Sequence, residues 1–321
     1  MTTPAQATGP SCGDDEPPVL PSPAQGDTDF WKMRDLLIRT ASITPIGFNW
    51  DVRRLDGKYF YHAQLDENGL FRRPIQLWHG EGGSLVAFVL SEGGDDAHLQ
   101  VHPDYRRLED EMIGWAVENL AAPAEDSKQH LDIYVYEYDA LRQQLLAEWG
   151  FEKTDYWGMI RHMRLGVQPL AQPRIAAGYT LRTTHPEDLA DCQRIADLLN
   201  AAFKRTFHNA DEYRNFARHA PSFRWELDLV AEAPDGAFGA YVGIPYDEVN
   251  RRGIFEPVCT HPDHRRKGLA GSLMQEGLLR LRSMGAIDAT VDTGDMEPAN
   301  RLYDSLGFTE AYRGYTWRKV L

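Results

Sequence analysis

The sequence is poor in cysteine and lacks the patterns that cysteines form in disulfide-linked or zinc-binding proteins. Its 321 residues include three cysteines, Cys12, Cys192 and Cys259, at wide spacings. A disulfide framework or a structural zinc site requires cysteines in closer or even-numbered sets. We therefore expect a reducing, cytoplasmic location and no metal site.

Long apolar runs and a basic, apolar leader are also missing. No run approaches the roughly 20 apolar residues that cross a bilayer, so we expect no membrane span. The first residues show no secretory signal pattern and are rich in Pro, Gly, Ser, Thr and Asp. This composition predicts a disordered tail over residues 1–29.

Basic residues are outnumbered, with 34 Lys and Arg against 48 Asp and Glu, for a net charge of −14. Such a field repels a polyphosphate backbone, so nucleic acid is not an expected partner. The acidic excess fits a cationic, amine-bearing substrate, and it equally fits a protein that is merely kept soluble by its charge.

What the sequence does contain is an internal repeat. The hexapeptide at 102–107, His-Pro-Asp-Tyr-Arg-Arg, returns at 261–266 as His-Pro-Asp-His-Arg-Arg, and Trp149-Gly150-Phe151 returns as Leu306-Gly307-Phe308. The two offsets, 159 and 157 residues, are nearly equal. The chain therefore has two copies of one fold, which its length also suits.

Two prolines and no hydrophobic period mark a linker between the copies. We predict one domain over 30–165, a linker over 166–177 and a second domain over 178–321. The second domain is predicted to have a mixed α/β fold. Its predicted elements are a helix over about 186–205 with Thr184 as its cap, a hairpin turning at 234–236, a strand over 253–260, a helix over 268–284 and a strand over 286–293.

The loop between the 253–260 strand and the following helix has the chemistry of a phosphate site. Arg265, Arg266 and Lys267 precede Gly268, which begins a helix. The first amides of a helix have no internal partner, and a glycine lets the backbone approach a ligand closely. A glycine entering a basic helix also occurs for packing reasons, so the loop alone leaves both interpretations open.

This loop, together with the segment 299–308, resembles the GNAT superfamily of acyl-CoA-dependent N-acyltransferases. The family's pyrophosphate signature is Gln or Arg, two residues, Gly, one residue, then Gly or Ala, and Arg265, Gly268 and Ala270 match it. The resemblance covers the second copy and implies two tandem GNAT-like domains using acetyl-CoA. It implies cofactor contacts from the main chain of Val258, Cys259 and Thr260 and from the loop residues Arg265, Arg266, Lys267, Gly268, Leu269, Ala270 and Gly271.

The resemblance also implies a proton donor for the departing thiolate. Tyr303 precedes the Gly-Phe pair as the family's tyrosine does, although a tyrosine there can also simply close the core. The family often has an asparagine where this chain has Met296. Asn300 is our candidate to take part of that cofactor contact, the alternative being that it only solvates the start of a helix.

A carboxylate is expected to accept the proton of the attacking ammonium. Glu256 is the first candidate, because burial in an apolar strand would make it a stronger proton acceptor. An edge-strand acid facing solvent is the alternative. Asp292, on the neighbouring strand, is the second candidate, and its alternation with Val291 equally suits a solvated face. Cys259 is expected to fill the core rather than to carry an acyl group, because direct transfer in a ternary complex needs no enzyme nucleophile.

The first copy has lost the signature. Glu109, Glu111 and Leu146 stand where Gly268, Ala270 and Tyr303 stand in the second copy. Two carboxylates facing the phosphates would oppose binding, so we expect this copy not to bind acetyl-CoA. It is then either a substrate-shaping partner or only a stabilising half.

We therefore predict an acetyl-CoA-dependent N-acetyltransferase acting on a primary amine of a small molecule. The acceptor is expected against the aromatic-rich region 206–225, whose aromatic residues equally suit a core. The alternative function is a non-catalytic acyl-CoA-binding sensor or scaffold. The sequence leaves monomer and homodimer open.

Overall fold

The computed structural model describes residues 19–61, 69–123, 128–166 and 169–321. The repeated segments 102–107, 149–151, 261–266 and 306–308 lie within these ranges, whereas residues 1–18 of the expected tail, residues 62–68 and 124–127 of the expected first domain and residues 167 and 168 of the expected linker lie outside them. No helix among the described residues is long and apolar enough to cross a membrane.

The first half mixes strands and helices as far as residue 164. Its elements are β1 (Leu20–Pro23), α1 (Gly26–Ala41), α2 (Val52–Phe60), β2 (Gln76–His79), β3 (Leu85–Leu90), β4 (Asp96–Val101), α3 (Glu109–Leu120), β5 (Ala122–Pro123), β6 (Gln129–Tyr136), α4 (Ala140–Glu148) and β7 (Glu152–Arg164).

The second half largely repeats this order and adds two short strands, β11 and β12, before the strand that corresponds to β4. Its elements are β8 (Thr180–Thr183), α5 (Leu189–Phe203), α6 (Ala210–His219), β9 (Asp228–Glu232), β10 (Phe238–Gly243), β11 (Tyr246–Asp247), β12 (Arg252–Ile254), β13 (Val258–Thr260), α7 (Leu269–Ser283), β14 (Asp288–Thr293), α8 (Glu297–Leu306) and β15 (Glu310–Val320). The predicted hairpin and the helices at 189–203 and 269–283 are confirmed. Thr184 is not the helix cap, because Asp188 accepts the Ala190 amide instead.

The two halves exchange their last strands. In the larger, 11-stranded sheet the order runs β4-β6-β15-β7-β14-β12, so β15 of the second half lies between β6 and β7, and β7 of the first half pairs with β14. The cores follow the exchange: Met163 and Leu165 pack in the second half's core, and Trp317 packs against the first half's. The predicted boundary at 166–177 therefore does not separate two independent sheets.

The predicted strand 253–260 is divided between two sheets. Its first part, β12, pairs in parallel with β14, whereas β13 pairs with β10 at the edge of a four-stranded sheet ordered β13-β10-β9-β8. The change occurs between adjacent residues: the Phe255 amide donates to Thr290 O, and the Glu256 amide donates to Gly243 O. Pro257 follows and has no N–H for a ladder. β13 and the end of β14 therefore separate and leave a gap.

The repeated hexapeptides adopt one local structure. Each forms a short 3₁₀ turn in which the first histidine, His102 or His261, accepts the amide two residues later on Nδ1 at 3.3 Å. A strand precedes each turn and a helix follows it. The structure thus confirms the tandem repeat that the sequence predicts.

The prediction of a disordered tail over residues 1–29 is wrong for the last part of this range, which contains a strand and the start of a helix. β1 pairs with β2 at an edge of the sheet, and α1 begins at Gly26. Pro21 and Pro23 are compatible with an edge strand because one side of such a strand needs no N–H donor. Asp27 and Asp29 favour a helix start, where carboxylates complement the helix dipole. The composition of this segment indicates disorder, so composition alone predicted neither the edge strand nor the helix start.

Candidate active site

The gap between β13 and β14 opens into a cavity of about 740 Å³ between the two halves. Glu256, Val258, Asp292 and Tyr303 line it from the second half. Because no strand of the described part of the chain pairs with the outer side of β13, the main chain of 258–260 presents an unpaired edge. An extended chain can hydrogen-bond to such an edge as an added strand does.

The loop that precedes α7 retains its unpaired amides. Gly268 caps the helix at φ +72°, a left-handed conformation that favours glycine, and a Cβ built there meets no atom within 4 Å. The first intrahelical acceptor is Gly268 O, which takes the Ser272 amide. The amides of Leu269, Ala270 and Gly271 are therefore the free ones at this helix N-terminus. The glycine holds the turn and leaves space for a ligand.

The three cations of this loop lie in different surroundings. Arg265 and Arg266 are exposed. Lys267 donates to the Tyr179 hydroxyl at 2.7 Å, and His264 Nδ1 lies 2.7 Å from the same oxygen. Tyr179 thus ties the start of the second half to this loop. The loop does not line the cavity itself, which suits a ligand that is long enough to span both.

Tyr303 lies in α8 with its ring centre 6.3 Å from that of Phe308. The residue is buried, and burial, reinforced by the charge of Asp292, raises the pKa of its hydroxyl to about 12. Among the described residues, none forms a hydrogen bond with this hydroxyl, although the residue lines the cavity. The side chain is therefore protonated at neutral pH and available to a ligand.

Glu256 and Asp292 both line the cavity, but they differ in their ion-pair partners. Glu256 lies in the break between β12 and β13, and its Oε1 lies 2.8 Å from Nη1 of Arg53 in the first half. The Glu256 side chain is 41% exposed, so the burial expected from the sequence is wrong. Asp292 has no ion-pair partner among the described residues. Desolvation by the surrounding protein, followed by the charge of Glu256, raises its pKa to about 7, even though the side chain faces the open cavity.

Cys259 and Asn300 are both engaged by the protein. The Cys259 side chain is buried in the core, and burial raises its pKa to about 12. Asn300 Oδ1 accepts from Arg161 Nε at 2.8 Å, and its Nδ2 donates to Gly294 O at 2.8 Å. The side chain therefore joins α8 to a strand of the first half, which argues against the cofactor contact expected from the sequence. Met296, where the family often has asparagine, lines the cavity.

The equivalent cleft of the first half is filled by its own side chains. Asn49 bonds both the N–H and the C=O of Val101, at 3.0 and 2.9 Å, and Arg142 Nη1 approaches Leu99 O at 3.5 Å. In the repeat, 99 and 101 correspond to 258 and 260. The strand edge that is free in the second half is thus occupied in the first.

Glu109, which replaces the loop glycine, is fully buried and does not face a phosphate site. It accepts from Arg106 Nε at 2.5 Å and from Arg142 Nε at 2.7 Å. Burial opposes its ionisation, but these two arginines hold its pKa below the usual range. Glu111 accepts instead from Trp78 Nε1 at 2.9 Å. The expectation that a carboxylate faces an open phosphate site is therefore wrong for Glu109, which is bound internally, whereas Glu111 is exposed.

The first half also contributes a wall of the cavity that the sequence did not reveal. The start of α2 places Asp51, Arg53 and Arg54 there, and β6 places Tyr134 and Tyr136. The alternation of tyrosines at 134, 136 and 138 was a signal for one polar aromatic face of a strand. From the expected acceptor region 206–225, Phe207, His208 and Glu212 line the cavity, whereas Tyr213 and Phe216 are in the core.

One group of described residues has the spacing of a metal site: Glu92, Asp96 and His98. Arg54 donates to both oxygens of Glu92, at 3.0 and 2.6 Å. Burial opposes ionisation, but Arg54 lowers the pKa of Glu92 to about 2. A paired guanidinium competes with any cation at this carboxylate, so we assign no metal to the group.

Comparisons with known proteins agree with this geometry. Residues 226–310 match the acetyltransferase (GNAT) domain model. A mycothiol acetyltransferase of Frankia casuarinae is 28% identical over 271 residues, covering 74% of this chain and 73% of that protein. One from Frankia alni is 28% identical over 277 residues, covering 77% and 75%.

Solved structures share the whole two-half fold. A tandem GNAT protein from the clavulanic acid biosynthesis pathway superposes with a TM-score of 0.63 at 18% identity, covering 94% of this chain and 98% of that one. A GCN5-related N-acetyltransferase from Sphaerobacter thermophilus gives 0.62 at 18% identity, covering 94% and 95%. Residues 226–310 of the second half therefore form an acetyltransferase (GNAT) domain, in a chain whose two-half fold is that of tandem GNAT proteins.

Proposed function

We propose that the second half transfers an acetyl group from acetyl-CoA to a primary amine of a small molecule, in one ternary complex. The observation that carries the proposal is the gap between β13 and β14, which joins a free strand edge to a cavity lined by Tyr303 and two carboxylates. Acyl transfer needs these parts together: an extended site for the donor, a proton donor and a proton acceptor.

The cofactor arm would bind along the main chain of 258–260, with its pyrophosphate on the amides from Arg266 to Gly271. Gly268 leaves room for the phosphate oxygens, and the exposed Arg265 and Arg266 add positive charge. The same edge and loop are occupied or altered in the first half. We therefore propose one cofactor site per chain.

The chemistry follows from the two kinds of side chain at the gap. The amine nitrogen attacks the thioester carbon, the carbon–sulfur bond breaks, and Tyr303 donates its proton to the departing thiolate. Glu256 and Asp292 act as a coupled pair, because the charge of Glu256 raises the pKa of Asp292. The pair accepts the proton that the ammonium loses before it attacks, and the proton that the nitrogen loses as the amide forms returns to the Tyr303 oxygen. Cys259 takes no part, since its thiol is buried.

Support for an amine acceptor comes from charges that the protein does not balance. Asp51 and Asp292 face the cavity without an ion-pair partner among the described residues. Burial and the charge of Glu256 raise the pKa of Asp51 to about 6. A cationic acceptor would relieve this repulsion. A primary amine is such a cation, since it is protonated at neutral pH before it reacts.

Binding of acetyl-CoA tests the site by thermal shift. Acetyl-CoA at 100 times its Kd should stabilise the wild type by about 2.7 kcal/mol. Gly268→Glu should abolish this stabilisation, because it adds a side chain and a negative charge where the phosphates bind. Gly285→Glu is the matched control: Gly285 also has a positive φ and open space, at the other end of α7. Stabilisation that survives Gly268→Glu would end the assignment.

Thiol release across a panel of primary amines separates an enzyme from the alternative, an acyl-CoA-binding sensor. Release that depends on an amine, with acetylated amine found by mass spectrometry, supports the enzyme. Binding of acetyl-CoA without release for any amine would favour the sensor.

A further inference from the structure

The start of helix α2 in the first half places an arginine, Arg53, beside Glu256, the proposed proton acceptor of the second half. Arg53 is the second residue of α2, and its Nη1 lies 2.8 Å from Glu256 Oε1. The Arg53 side chain is 15% exposed, so this ion pair is only partly screened by water. Its guanidinium lies 5.8 Å from the centre of the Tyr61 ring.

Other contacts of Arg53 do not explain its position. Its Nε is buried and has no hydrogen-bond partner among the described residues. A buried donor without an acceptor costs free energy, so a pair that served only stability would be better replaced by apolar side chains. The cost points to a role at Glu256.

Glu256 needs such a partner because of where it lies. It occupies the break between two sheets, and the charged groups around it are Asp51, Arg53 and Arg54 on or beside the start of α2 and Asp292 on β14. Arg54 is already paired with a carboxylate of the first half. Without Arg53, the repulsion from the two aspartates would turn the Glu256 carboxylate away from the gap.

We infer that Arg53 of the first half is a positioning residue for the reaction of the second half, holding the Glu256 carboxylate directed at the gap. The inference rests on the proposed function. Through Arg53, the first half would contribute directly to the active site of the second half. Its role would then exceed that of a stabilising partner without a cofactor site of its own.

The test compares Arg53→Met and Arg53→Lys in steady-state kinetics, with an amine that the wild type acetylates. Arg53→Met should lower kcat/KM at pH 7 by roughly 10- to 100-fold, as expected for a misplaced catalytic group. The loss should appear in kcat, whereas the KM for acetyl-CoA should stay the same, because the proposed cofactor site is not changed. Arg53→Lys should restore most of kcat, because an ammonium group can also pair with Glu256.

Arg318→Met is the matched control, since Arg318 forms an equally close ion pair between the halves, with Asp132 at 2.6 Å, outside the cavity. It should leave kcat unchanged. In a Glu256→Gln background, Arg53→Met should have no further effect on kcat. An Arg53→Met variant that keeps the wild-type kcat, or that lowers kcat equally in the Glu256→Gln background, overturns the inference. Absence of turnover by the wild type would instead count against the proposed function.

Discussion

Tyr303 combines a raised pKa with a hydroxyl that no described residue hydrogen-bonds. We predict that Tyr303→Phe lowers kcat by roughly 100-fold or more, the usual contribution of a positioned general acid. The KM for acetyl-CoA should change little, because the ring remains. Thiol release measures both constants. Tyr246→Phe, a buried tyrosine outside the cavity, is the control. Unchanged rates in Tyr303→Phe would exclude it as the proton donor.

Asp288 and Asp292 on β14 should affect stability in opposite directions. The raised pKa of Asp292, about 7, means that the folded state holds its proton where the unfolded chain has lost it. This favourable contribution is complete below about pH 4 and is lost as the pH rises through about 7. Asp292→Asn should therefore raise the Tm at about pH 8 and leave it unchanged below about pH 4.

For Asp288 the sign is reversed. Burial opposes its ionisation, but Arg252 and His162 hold its pKa below the usual value. Its ionised form then stabilises the fold above the unfolded pKa, and the stabilisation is lost as the pH falls through the folded one. Asp288→Asn should lower the Tm at about pH 8. Thermal melts from about pH 3 to 8 check both substitutions, and a shift of the same sign at the upper limit would refute this account.

At the scale of single elements, local patterns predicted much of the second half. The helix at 269–283, its glycine start and the hairpin at 234–236 follow from periodicity and turn residues that act over a few positions. The strand 253–260 was predicted as one element because its apolar residues are continuous. Its division depends on which neighbours pair with it, and Phe255 and Glu256 carry no local sign that they bond to different sheets.

The same limit applies to the candidate site. Gly268 and Tyr303 could be predicted because a motif fixes their spacing to a fold. Arg53 and Tyr136 could not, since they approach the gap only through contacts between the halves. The pKa of Asp292 likewise depends on Glu256, which lies outside its own strand. Residues that act within one segment are readable from sequence, whereas those that act across the cavity are not.

On the scale of the whole molecule, the exchange of β7 and β15 couples the halves. We predict a single calorimetric transition, in which acetyl-CoA and a core substitution of the first half shift the same Tm. Leu146→Ala, at a fully buried position, should cost about 2–5 kcal/mol. Two resolved transitions, one moved by acetyl-CoA and the other by Leu146→Ala, would show that the halves unfold independently.

The exchanged strands also bear on how such a protein can change over evolutionary time. After duplication, two side-by-side domains could lose one member by deletion without harm to the other. Here each half is completed by a strand of its sibling, so deletion of either would remove a strand from the survivor. Both copies are thus retained even when one of them loses its cofactor site. The copy without a cofactor site can then acquire residues that contribute to the active site of the other copy.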